Sequence, residues 1–209
     1  MFLLLPLLLA AYCIYKKDKH IIPAIFLGII VAVLVCGFRA FFLYAHRIVP
    51  YSFEKNAIYL LVRQSLLPVI LVYGIYFFWS KDELSYKFKT FLPLMLSFYM
   101  LYLPYNIIST SDLVFTSFPL FVKPVIFAVM IFSIAVFLNC IEKSLEERKY
   151  VFVGVWILVS VIYLVVPALL ETMYILDMNY ALVLILSALY CVIIPLAFLL
   201  CRKGIIRNK

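Results

Sequence analysis

The chain has 209 residues, of which 68% are hydrophobic and 13% charged, about half the charged fraction of a soluble domain, and this excludes a water-soluble fold. Its formal net charge of +8 is what basic cytoplasmic loops produce in a membrane protein. No basic stretch is interleaved with stacking aromatics in a polar setting, so nucleic acid is excluded as a partner. The expected fold is all-α: a polytopic transmembrane helix bundle of about seven spans, forming a single integral membrane domain over residues 1–209.

Apolar runs separated by short polar loops give the spans in order. The first, Phe2–Tyr15, is followed rather than preceded by its charges, Lys16, Lys17 and Lys19, which predicts an uncleaved helix rather than a signal peptide. Tyr12 is too bulky before Cys13 for a lipoprotein box. At 1.5 Å per residue this segment reaches roughly 21 Å, short for a crossing. Ile21–Ala45 carries Arg39 and ends beside His46. Ala57–Ser80 carries Arg63, Gln64 and Pro68. Thr90–Ile108 holds Tyr102, Tyr105 and Asn106, with Pro104. Phe118–Cys140 opens with Lys123 and Pro124. The charged segment 142–149 reads as a solvated turn in which Lys143 and Glu147 have the spacing of a helical i,i+4 pair. Tyr150–Met173 contains Pro167 and Glu171, and Tyr180–Cys201 contains Pro195. Glycine is scarce, with 5 residues, and there is no G-x-x-x-G, so packing is expected from large side chains rather than close backbone approach.

Lys and Arg set the direction. Loops 16–20, 81–89 and 142–149 with the tail 202–209 hold 13 basic residues, against 2 in loops 46–56, 109–117 and 174–179. That bias predicts the N-terminus outside and the C-terminus in the cytoplasm, in a bacterial cytoplasmic (inner) membrane.

Arg39, Arg63 and Lys123 lie inside apolar spans, where a charge is costly and usually faces a cavity, a partner or a ligand. The topology puts all three roughly 8–10 Å inside the outer boundary, with Glu171 at the same end. Arg39, without a neighbouring proline, is the one expected to snorkel simply to the head groups. Pro68, Pro124 and Pro167 each remove a helix hydrogen bond and free a carbonyl one turn earlier. Charge beside a break on three spans resembles the interrupted helices of transporter sites. Pro104 and Pro195 have no charged neighbour and fit the general frequency of proline in membrane helices. Gln64, Asn106 and His46 are further candidates for the site, whereas 16 tyrosines make any one of them anonymous.

Five cysteines without C-x-x-C spacing read as small apolar side chains, and neither a metal nor a cofactor is expected. There is no G-x-S-x-G, no H-E-x-x-H and no aspartate pair in the spans, which argues against a hydrolase, and the last span lacks the lysine of retinal proteins. The expected function is an outward-facing basic cavity that binds an anionic group, a lipid head group or a small organic anion, in a transporter or lipid-handling protein. Two rivals stand beside it. One is a non-catalytic subunit or assembly factor whose cations pair with partner membrane subunits; the other is a lipid-modifying enzyme using Glu171 or Asp177 as base.

Overall fold

A computed structural model of the chain describes residues 3–16, 21–42, 52–79, 87–109 and 117–192. These form seven helices: α1 (Leu4–Lys16), α2 (Ile21–Phe42), α3 (Phe53–Trp79), α4 (Lys87–Ser109), α5 (Phe118–Glu146), α6 (Tyr150–Ile175) and α7 (Tyr180–Val192). Five of them, α2 to α6, are long and apolar enough to cross a membrane. The described parts of α1 and α7 are shorter apolar helices, and the remainder of the expected last span, to Cys201, lies outside the described residues. The described residues form an all-helical fold, and the chain is a multi-pass integral membrane protein.

Helix α4 is the centre. It packs against α1, α2, α3 and α5, and every residue from Thr90 to Tyr99 is buried, whichever way its side chain points. It is also the least hydropathic of the five long helices. A helix enclosed by protein can carry polar and aromatic side chains that a lipid-facing one cannot, because neighbouring helices offer hydrogen-bond partners that hydrocarbon lacks. Phe91, Met95, Phe98, Tyr99 and Tyr102 of α4 form the main core with Val72 and Tyr76 of α3 and Phe127, Met130, Ile131 and Ile134 of α5. The opposite side of α5 builds a second core with α6 and α7 around Phe118, Ile126, Phe137, Tyr163, Leu170, Val183 and Tyr190.

The contact between α2 and α4 corrects the expectation of packing by large side chains alone. Ala24, Gly28 and Ala32, spaced by four residues, are all buried along one face of α2. A Cβ on Gly28 would lie 2.5 Å from the carbonyl oxygen of Leu94 and collide with the Ser97 hydroxyl. The two backbones therefore touch, as small residues at every fourth position allow. Ser97 itself is fully buried and donates to the Leu94 carbonyl, 3.0 Å away.

Two helices contain π-helical turns, Leu61–Leu66 in α3 and Phe118–Val122 in α5. Both have the same cause. Leu67, just before Pro68, donates its N–H to Val62, and Lys123, just before Pro124, donates to Phe118. Each bond reaches five residues back instead of four. A proline ring in an α-helix presses on the carbonyl four residues earlier, and widening the preceding turn relieves that pressure. The breaks expected at Pro68 and Pro124 are thus present as π turns. Pro167 departs from that expectation, since it sits inside the uninterrupted α-helix α6.

At the far end of α5 the helix continues through Glu146, so the segment 142–149 is mostly helix rather than a solvated turn. Arg148 then adopts a left-handed φ of 55° and Lys149 N–H bonds the Ser144 carbonyl at 2.8 Å, a Schellman ending that satisfies the last carbonyls. Glu147 is 2.8 Å from Lys149 and 3.9 Å from Lys143, and the hydrogen bond from Lys149 lowers its carboxyl below the usual carboxylate range.

Candidate functional site: a buried basic network

Six of the seven residues singled out from sequence are described, and they gather at one end of the bundle. The seventh, His46, lies outside the described residues. The network begins on α2. Arg39, in the last turn of that helix, follows the close contact of the Ala24–Gly28–Ala32 face with α4. Its guanidinium Nη1 donates to the Tyr102 hydroxyl at 2.6 Å and to Asn106 Oδ1 at 2.7 Å. The rings of Tyr102 and Tyr105 lie 5.3 and 5.6 Å from its Cζ, within the range of cation–π attraction. Arg39 is only 8% exposed. It turns into the bundle rather than snorkelling outward, because α4 supplies an amide, a phenol and two aromatic faces one helix away.

Tyr102 passes the connection onward: its hydroxyl donates to the carbonyl of Arg63 at 2.6 Å. One turn earlier on α4, Tyr99 donates to the carbonyl of Gln64 at 2.9 Å. These acceptors are the ones the π turn releases. Leu67 bonds Val62 instead of Arg63, and Pro68 has no N–H to give to Gln64. A freed carbonyl inside a membrane protein needs another donor, and the two tyrosines of the enclosed helix provide it. The Arg63 side chain is half-buried, and its Nη1 donates to the hydroxyl of Tyr59, one turn earlier on the same helix.

The Gln64 side chain leaves the π turn in the other direction. Its Nε2 donates to Glu171 Oε1 on α6 at 3.1 Å, and the same oxygen receives Lys123 Nζ of α5 at 2.7 Å. Gln64, Lys123 and Glu171 are all buried. The stem of Lys123 also runs beside Phe127, whose ring centroid is 5.9 Å from Nζ. Two π turns and the segment after Pro167 therefore meet at one carboxylate. Gln64 Oε1 and Ser65 Oγ are buried without a hydrogen-bond partner among the described residues.

Lys123 and Glu171 neutralise each other, whereas the described residues that hold Arg39 are neutral. Tyr99 and Tyr102 are the participants that sequence reasoning could not single out. The available signal was their position on the one helix whose long polar and aromatic side chains make it the most polar of the spans. Glu54 and Asp177 are exposed and take no part. No cluster of His, Cys, Asp and Glu capable of holding a metal occurs among the described residues.

No protein-family model, curated protein or solved structure matches the chain. The network's own geometry carries the functional reading.

Proposed function

We propose that this membrane protein binds an anionic group, a lipid head group or a small organic anion, at the basic end of its bundle, and acts as a transporter or lipid-handling protein. In this reading all seven helices span, the N-terminus is outside, and the site opens outward from a bacterial cytoplasmic membrane, in keeping with the loop charges. The supporting observation is Arg39. A guanidinium that is 8% exposed and bonded, among the described residues, to the neutral groups of Tyr102 and Asn106 sits in a setting where charge is expensive. An anion would compensate it. The Lys123–Glu171 pair, by contrast, needs no ligand for charge balance, so Arg39 is the cation on which the binding assignment rests, with Arg63 its neighbour at the same end of the bundle.

The test uses the full chain purified in mild detergent, with retained anionic lipid and added organic anions read by native mass spectrometry. The double variant Arg39→Gln/Arg63→Gln should lose at least about tenfold in retained anion, since charge-assisted hydrogen bonds are the strong ones, while membrane insertion is unchanged. Equal retention in both proteins would overturn the reading. A stoichiometric acidic membrane protein in place of the small anion would favour the subunit or assembly-factor alternative. The enzyme alternative is weaker, because Glu171 Oε1 already accepts from two donors and serves as a joint between helices.

A further inference from the structure

Building on the anion-site reading, we propose that the Nε–Nη2 edge of Arg39 is the subsite for a singly charged phosphate ester, gripped side-on by two parallel hydrogen bonds. The argument starts from the hydrogen-bond inventory of one side chain. A guanidinium has five N–H groups in a rigid plane, and both hydrogens of Nη1 are taken by Tyr102 and Asn106. That fixes the plane and leaves Nε–H and Nη2–H pointing along the other edge. Neither nitrogen bonds a described side chain, and neither is among the buried, unpartnered polar atoms. Theirs is the edge whose paired donors match two oxygens of a phosphate or carboxylate. The rings of Tyr102 and Tyr105 hold the plane in place before any ligand arrives.

Charge selects among oxyanions. Among the described residues Arg39 has no acidic partner, so one negative charge balances it and a second would be left over. A phosphodiester stays ionised where desolvation drives a carboxylate toward its neutral form, and this favours the phosphate ester in so enclosed a place.

Native mass spectrometry of the full chain tests this with three probes: phosphatidylglycerol, its deacylated head group glycerophosphoglycerol, and oleate. The wild type should retain phosphatidylglycerol in preference to oleate. Arg39→Lys keeps the charge but loses the fork, and should retain roughly a tenth as much phosphatidylglycerol. Lys143→Gln, at the opposite end of α5, should match the wild type. Unchanged retention in Arg39→Lys would show that charge alone suffices and sink the side-on subsite, while the broader anion site would stand if Arg39→Gln/Arg63→Gln still lost binding. Should Arg39→Lys fail to fold, judged by gel filtration and thermal melting, the wild-type comparison decides, and equal retention of oleate overturns the phosphate assignment. Retention of the deacylated head group should likewise fall in Arg39→Lys, and retention that is the same in both proteins would overturn the side-on grip on the phosphate.

Discussion

Lys123 and Arg39 lie at the same end of the bundle and are held by different chemistry. Lys123 is 4% exposed and 2.7 Å from a carboxylate oxygen, so its desolvation is offset by an opposite charge. Removing one partner of such a pair strands the other, a loss of about 3–5 kcal/mol, whereas replacing both with apolar groups is often close to neutral. Lys123→Met should therefore lower the thermal unfolding midpoint in detergent sharply, and Lys123→Met/Glu171→Leu should recover most of the loss. A double variant as unstable as the sum of its singles would show that the two residues act independently. Arg39, with no carboxylate beside it among the described residues, should respond instead to its neutral partners on α4. The sequence announced these cations by their misfit with an apolar background, but it could not say how each was held. The partners of Arg39 lie 63 and 67 residues away, and nothing local to Arg39 marks them.

At the scale of the helix, two devices set where these side chains end up. The first is the small face of α2. Ala24, Gly28 and Ala32 bring α2 against α4, and Arg39 continues along α2 to meet Tyr102 and Asn106. Because a Cβ on Gly28 would meet the backbone oxygen of Leu94 at 2.5 Å, no rotamer change can relieve it. Gly28→Val should cost about 2–3 kcal/mol through overpacking, read as a lowered melting temperature, and Gly37→Val, where nothing lies within 4 Å of the added Cβ, should be nearly silent. Equal effects at the two positions would remove the close contact from the explanation. This face was present in the sequence, but a search for paired glycines passes over alanines that serve the same purpose. The second device, the π turn, was partly legible. Proline shows where a carbonyl is freed; whether the helix widens, as before Pro68 and Pro124, or simply continues, as around Pro167, depends on what packs beside it.

Across the whole molecule, the polar network joins α2, α4, α3, α6 and α5 in that spatial order, through Arg39, Tyr102, the Arg63 carbonyl, Gln64, Glu171 and Lys123. The apolar spans were legible because they need only composition and length. The enclosure of α4 was not, since a single sequence does not reveal which helix its neighbours surround. On the outside of the bundle, α6 shows Tyr150, Val151, Phe152 and Leu158 at 55–80% exposure, a surface suited to lipid and costly in water. The π turn in α3 has a further consequence at this scale. A turn of five residues where four would serve amounts to one surplus residue in an α-helix, which advances about 100° per residue. Deleting one residue almost anywhere in α3 would rotate everything beyond it out of phase with its neighbours. A single deletion within 61–66 should instead let the turn close to ordinary α-helix, leaving both flanks in register while withdrawing the carbonyls that Tyr99 and Tyr102 hold. Comparing the yield and melting temperature of that deletion with one at Tyr73 would measure the difference: the first protein should assemble and the second should not. The extra residue is thus a splice: its removal would keep the two flanks in register, at the cost of the proline contact that the wider turn relieves and of the wiring between helices.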